Sequence, residues 1–303
     1  DYYFAQNPDF GAVFTYHLSK SYPSMKSDRK KVEREMIKKG QQIPGIDWDA
    51  IEKEGREETT KIYVVVKDLN GNIINKISAP KSKGLNRVAW NLRHSSATAI
   101  NPDRLPRSSG GGRGWYNSGQ LASPGSYTAT LVKEDKGVSI ELDDPITFNV
   151  VDLERGTLQG MSYEEYNTHA ENLISVQNRQ SVLSDNMNET MNMVKAMRVS
   201  LSRSKSVNNE LSKRLFDIEE QLNQLSKKVY GNSAKSEVGV KNDPTVSSYI
   251  GNAYRGLTST YGPTGQLKLS LNIANSMLDK LYVELDAFSG ILPNLKVELD
   301  KMS

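Results

Sequence analysis

The hydrophobic period of this chain changes once, and that change limits the folds open to it. Up to about residue 151 apolar residues recur at every second position. Beyond about residue 157 they recur at every third or fourth. In KIYVVVKD (61–68), Ile62, Val64 and Val66 point one way and Tyr63 and Val65 the other, as in a strand. In the second half Leu211, Leu215, Ile218, Leu222, Leu225 and Val229 are spaced 4-3-4-3-4, the a/d seam of packed helices. A pattern written for one period does not bury its apolar face in the other. Two domains are therefore predicted, 1–155 and 156–303.

The first half supplies six strand patterns. They are FGAVFTYHL (10–18), KIYVVVKD, IINKIS (73–78), LNRVAWNL with Val88, Trp90 and Leu92 on one face, a strand carrying Tyr127, Ala129 and Leu131, and one carrying Ile146, Phe148 and Val150. Asn70-Gly71 predicts a two-residue hairpin turn, because both residues tolerate positive φ. Arg93 and His94 are expected to mark where the fourth strand emerges into solvent. The set predicts an antiparallel β-sandwich of immunoglobulin or fibronectin type. A charged insertion at about 19–60 interrupts it. SDRKKVEREMIKKG reads as a surface helix packed on the sandwich, capped by Ser27 or Asp28 and stopped at Gly40, with a narrow stripe of Val32, Met36 and Ile37. The segment after it is expected to dock through Trp48 and Ile51.

The second half predicts an antiparallel four-helix bundle, giving an α+β multidomain chain. Ser162 and Glu165 form a capping-box pattern. Leu183, Met187, Met191, Val194, Met197 and Leu201 continue the first helix. GNSAKSEVGVKN reads as a loop. Pro244 and Pro263 are expected in the first turns of the third and fourth helices, the fourth with Leu267, Leu271, Ile273, Ala274, Leu278, Leu281 and Leu285 inward.

Charge and composition narrow the function. Lys and Arg exceed Asp and Glu by three (39 against 36), too little for a field that would gather nucleic acid or an anionic membrane. Cysteine is absent, which removes disulfides and thiolate chemistry. No apolar run approaches the roughly 20 residues of a membrane span. The opening DYYFAQNPDF has no initiator Met and no signal-peptide pattern, so a piece of a longer or processed protein is expected.

Motifs for catalysis fail on spacing. His17, His94 and His169 are far apart, with no second ligand at helical metal spacing, although His17 and His94 could meet at strand ends. There is no G-x-S-x-G, and SSGGGRG does not lead into Lys-Ser/Thr. DLNGN lacks the later ligands of a calcium loop. The adjacent acids Asp143-Asp144, Glu57-Glu58 and Glu134-Asp135 sit beside turns and read as solvated. No catalytic, cofactor-binding or metal-ligating residue is predicted, and no cofactor. One loop stands out: NPDRLPRSSGGGRGWYNSGQ joins Arg104, Arg107 and Arg113 to Trp115 and Tyr116. Arginine with aromatics suits stacking on sugar faces or anchoring an interface. A plain linker between strands is the alternative.

NPDFGAVFTYHL (7–18), VVVKDLNGNIINKI (64–77), GLNRVAWNLRH (84–94), SPGSYTATL (123–131), YGPTGQL (261–267) and ILPNLKVEL (291–299) together resemble a known pattern. It is that of the C-terminal region of bacterial sortilin-like BNR-repeat β-propeller proteins, often labelled glycosyl hydrolases. Asn91 stands where that family usually has Asp, and Asp9 where it usually has Pro. The resemblance implies a propeller upstream and a secreted, periplasmic or cell-surface protein. It carries over no catalytic residue, since the Asp-box motif is absent here. The expected function is a non-catalytic accessory module contacting the propeller, and other surface proteins or glycans, without nucleic acid. The alternatives are a wall of a carbohydrate-active site and a structural subunit of an envelope complex.

Overall fold

The computed structural model describes residues 7, 9–45, 47–95, 119–152, 160–204, 208–259 and 261–301. The chain is a mixed α/β protein with sheets first and a helical region after them. Its described residues divide into two compact units, one up to residue 152 and one from 160 on.

In the first unit β1 (Ala12–Leu18) and β4 (Gly84–Trp90) form a two-stranded antiparallel sheet, with Ala12 opposite Trp90 and Leu18 opposite Gly84. Five strands make the second sheet: β2 (Lys61–Asp68), β3 (Ile73–Ala79), β5 (Gly125–Asp135), β6 (Val138–Glu141) and β7 (Ile146–Val150). Their order is β3-β2-β5, with β7 and then β6 along the far edge of β5. One apolar cluster draws on both sheets: Val64, Val66, Ile74, Tyr127 and Ala129 from one, and Trp90 with Ala12, Phe14 and Val88 from the other. Val88 and Leu92 are half-buried against it, while Trp90 is only 1% exposed. The backbone of Gly11 explains how closely β1 approaches β4: its φ is +105° and a Cβ there would lie 1.9 Å from the Trp90 carbonyl oxygen.

The two hairpins invert the expectation from turn chemistry. Asn70-Gly71 does not make a two-residue turn. The loop has three residues, Leu69–Gly71, closed by Asp68 N–H to the Asn72 carbonyl and Gly71 N–H to the Asp68 carbonyl. Only Gly71 has positive φ (+83°), so this is a type I turn ending in a left-handed glycine. The Asp68 carboxylate, by accepting from Asn72 N at 2.8 Å and its Nδ2 at 2.9 Å, holds it in that form. The true two-residue turn is Lys136-Gly137, both at positive φ (+49° and +74°), and it leads into β6, a seventh strand that the period did not reveal. A lysine there costs about 1 kcal/mol that asparagine avoids. Lys136→Asn should therefore raise the urea midpoint of the sheet unit by the equivalent of about 0.5–1 kcal/mol. A fall would mean that Lys136 contributes a contact outweighing its backbone strain.

The insertion forms α1 (Met25–Lys38) and α2 (Trp48–Gly55). Ser24, rather than Ser27 or Asp28, caps α1, its hydroxyl accepting from Ser27 N. Gly40 follows the end of α1 at φ +68°. Neither helix buries a residue. The expected docking through Trp48 and Ile51 does not occur: Trp48 is 71% exposed and Ile51 is exposed too, as are Val32 and Ile37. What joins the two helices is charge. Arg29 donates to Glu54 at 2.6 and 3.0 Å and to Glu33 at 2.6 Å, which lowers the pKa of Glu54.

The second unit holds α3 (Tyr163–Ser202), α4 (Asn209–Tyr230), the short α5 (Ser233–Glu237), α6 (Val246–Arg255), α7 (Gly265–Ser289) and α8 (Leu292–Asp300). Ser162 caps α3 by accepting from Glu165 N. At 40 residues α3 runs about 60 Å and touches α4, α6, α7 and α8. All six seam residues of α4 are buried, as are Leu183, Met187, Val194 and Met197 of α3. On α7, Leu271, Ala274, Leu278, Leu281 and Leu285 are buried, with Leu267 and Ile273 half-buried. Two details differ from expectation. Pro244 and Pro263 each precede an N-cap threonine, Thr245 or Thr264, instead of entering the helix, and Thr245 forms a full capping box with Ser248. The stretch read as a loop contains α5, and the closing segment is a helix that sends Leu292, Leu295 and Leu299 into the core.

Candidate functional site

Arg104, Arg107, Arg113, Trp115 and Tyr116, the contact residues expected from the sequence, lie outside the described residues. Their foundation lies within them. β4 ends at Trp90, and Leu92 then takes φ +58°, unusual for a branched side chain. The chain turns there and pairs again instead of emerging into solvent. Ala122 N donates to the Leu92 carbonyl at 2.7 Å and His94 N to the Gln120 carbonyl at 2.9 Å. Gly119 N donates to the His94 carbonyl at 3.1 Å, and Ser95 N to the Ile74 carbonyl at 2.8 Å. The Arg93 carbonyl accepts from the Trp90 indole at 2.8 Å and from Asn75 Nδ2 at 2.7 Å, while the Arg93 guanidinium donates to the Gly119 carbonyl at 3.2 Å. Segment 96–118 is thus entered and left through a ladder tied to the central tryptophan.

Two residues of that ladder were not singled out from the sequence. Gly119 packs so tightly that a Cβ would lie 2.7 Å from the His94 carbonyl oxygen and 2.8 Å from that of Ser95. Gln120 is buried, and its Oε1 has no hydrogen-bond partner among the described residues. An unsatisfied buried acceptor costs roughly 1–3 kcal/mol. The only signal for either is their place at the end of a Gly-rich loop.

The histidines do not converge. His17 is exposed and sits opposite Leu85, five positions along β1 from the Ala12–Trp90 pair and so about 17 Å from the end where His94 lies. His169 is buried in α3 of the other unit, its Nε2 3.2 Å from the Ala253 carbonyl oxygen. The adjacent acids have local roles. Glu57 accepts from Met25 N at 2.8 Å, while Glu134 and Asp135 lie 3.5 Å from Lys61 and Lys133. Asp143 accepts from Asp144 N in an exposed turn. Burial pushes the pKa of Tyr127 up, and the charge of Asp68 adds to it. Its hydroxyl donates to the Ser123 carbonyl at 2.6 Å, four residues back. Among the described residues no three His, Asp or Glu side chains gather as a metal site, and no helix is long and apolar enough to cross a membrane.

Comparison with family models, with curated proteins and with solved structures finds no match.

Proposed function

We propose that this chain is a non-catalytic interaction module of a secreted, periplasmic or cell-surface β-propeller protein, and that segment 96–118 carries its contacts. The observation behind the reading is the hydrogen-bonded ladder at the foot of that segment. Binding residues work best on a loop held by a rigid scaffold, and this one is anchored to Trp90 at the centre of a core. The family resemblance adds the propeller as the upstream neighbour and the envelope as the location. Arg104, Arg107, Arg113, Trp115 and Tyr116 supply the chemistry, planar cations and rings that stack on sugars or fill protein pockets.

We further read the first unit as an immunoglobulin- or fibronectin-type sandwich. In support, the order β3-β2-β5-β6 matches C′-C-F-G with β1 and β4 as the facing sheet. The Tyr127 hydroxyl bonded four residues upstream has the form of the tyrosine corner of that fold. The second unit we read as an antiparallel bundle of α3, α4, α6 and α7, with α8 as an added piece.

Replacing Trp115 and Tyr116 by alanine in the full chain should weaken binding to its glycan or surface-protein partner at least about tenfold, with the melting temperature unchanged. Unchanged binding would remove the segment from the contact surface. Turnover of glycan substrates by the purified chain would favour the carbohydrate-active reading instead.

A further inference from the structure

Helix α1 carries a second surface, unrelated to segment 96–118. With 100° per residue, Lys26, Lys30, Arg34 and Lys38 fall in one row at i, i+4, i+8 and i+12, each about 6 Å further along the axis, and Lys31 stands beside them. All five are exposed. The acids of the helix, Asp28, Glu33 and Glu35, lie outside this arc. Arg29, the cation nearest α2, is already neutralised by Glu33 and Glu54. Among the described residues no carboxylate lies within ion-pair distance of any of the five, and the one hydrogen bond in the row, Arg34 Nε to the Lys30 carbonyl at 3.0 Å, lies along the helix. Lys26 and Lys30 reach Glu54 only as a weak field behind Arg29.

Like charges at i, i+4 destabilise a helix, and here three such pairs follow one another. Glu33 and Glu35 stand three or four residues from Lys30, Lys31 and Lys38, but among the described residues neither of them closes an ion pair with the row. The row is also not an incidental result of an overall basic chain, since the whole sequence carries a net charge of only +3.

We propose that this row binds a linear acidic polysaccharide. A row of point charges at regular spacing, about 18 Å long, complements a chain bearing sulfates or carboxylates along its length. A bilayer fits less well. Of the exposed apolar residues of α1, Met25 and Val32 lie on the opposite side of the helix and Ile37 alone falls among the cations, so a flat surface that takes the cations would bury one apolar side chain of the three. A single-stranded nucleic acid fits less well too, because no aromatic residue stands on α1 to stack a base. The proposal rests on the reading of the chain as a binding module, but it uses none of the residues of segment 96–118.

The test uses the full chain on immobilised heparin and in titrations with polygalacturonate. Lys30→Glu, Arg34→Glu and Lys38→Glu together should abolish retention on heparin and weaken the titrated affinity at least about tenfold at 0.1 M salt, where the Debye length is about 10 Å. A control with the same change of charge elsewhere, Lys213→Glu, Lys235→Glu and Lys241→Glu, should bind as the parent does. The Trp115/Tyr116 variant should also be retained on heparin, which separates this proposal from the reading of segment 96–118. The proposal is overturned if the parent chain is not retained, or if the control loses as much as the row variant. Tighter binding through the same row to an oligodeoxythymidine or to phosphatidylserine vesicles would overturn it equally.

Discussion

Trp90→Ala is expected to destabilise the sheet unit by about 3–5 kcal/mol, enough to leave a marginal domain largely unfolded. Trp90 is the largest fully buried side chain among the described residues. Its ring meets Tyr127 edge-on with centroids 5.6 Å apart and Phe148 at 6.0 Å, and Phe148 in turn meets Phe14 of the facing sheet at 5.4 Å. Removing it deletes the piece on which both sheets pack, and the three remaining rings cannot refill that volume. The indole N–H is a separate contribution. Trp90→Phe keeps most of the ring and loses the bond to the Arg93 carbonyl, so it should cost less. That carbonyl belongs to the ladder at the ends of segment 96–118, so on the proposed contact role of that segment Trp90→Phe should also weaken partner binding while the domain stays folded. Urea unfolding followed by circular dichroism reads the first effect and partner titration the second. An alanine variant within about 1 kcal/mol of the parent would mean that Trp90 is not the keystone of this core.

The period of the sequence located most of this architecture because burial on one face is what the period records. β1, β2 and the α4 seam fall where the alternation puts them, whereas in β7 Phe148 and Val150 pack on the core and Ile146 is 68% exposed. Features set by single backbone angles were not visible. Nothing in NLR announces that Leu92 turns left-handed, and KG gives weaker turn chemistry than NG, so β6 was missed and the first hairpin was given the wrong loop. At Asn70-Gly71 the Asp68 side chain holds the three-residue form by accepting from Asn72, a local bond that selects among the turns the sequence allows. The insertion misled for another reason. Trp48, Ile51 and Val32 are apolar, and burial is the usual fate of such residues, but α1 and α2 are held by Arg29 and Glu54 and leave their apolar side chains in solvent. The residues proposed for contact could be read as chemistry, Arg with Trp and Tyr, while the ladder at His94 and Gly119 could not. That ladder depends on a missing Cβ at Gly119 and on backbone pairing across more than twenty residues.

The second large effect is expected in α4. Leu222→Ala should cost about 2–5 kcal/mol, because Leu222 is 1% exposed in a seam whose other members are equally buried. Ile218 and Leu225 flank it one turn away on either side, and α3 supplies Leu183, Met187, Val194 and Met197 to the same cluster, so the site cannot collapse without moving a helix 40 residues long. Phe216→Ala is the matched comparison. Phe216 is larger but 55% exposed, and among the described residues its one ring contact is the Arg198 guanidinium at 6.0 Å. It should cost less than about 1 kcal/mol. The order of the two effects is the reverse of the order of side-chain size, so urea midpoints of the two variants separate packing in the seam from mere hydrophobicity. If Phe216→Ala costs as much as Leu222→Ala, the outer face of α4 is itself covered in solution, and the free surface of the helical unit is not where the exposed residues place it.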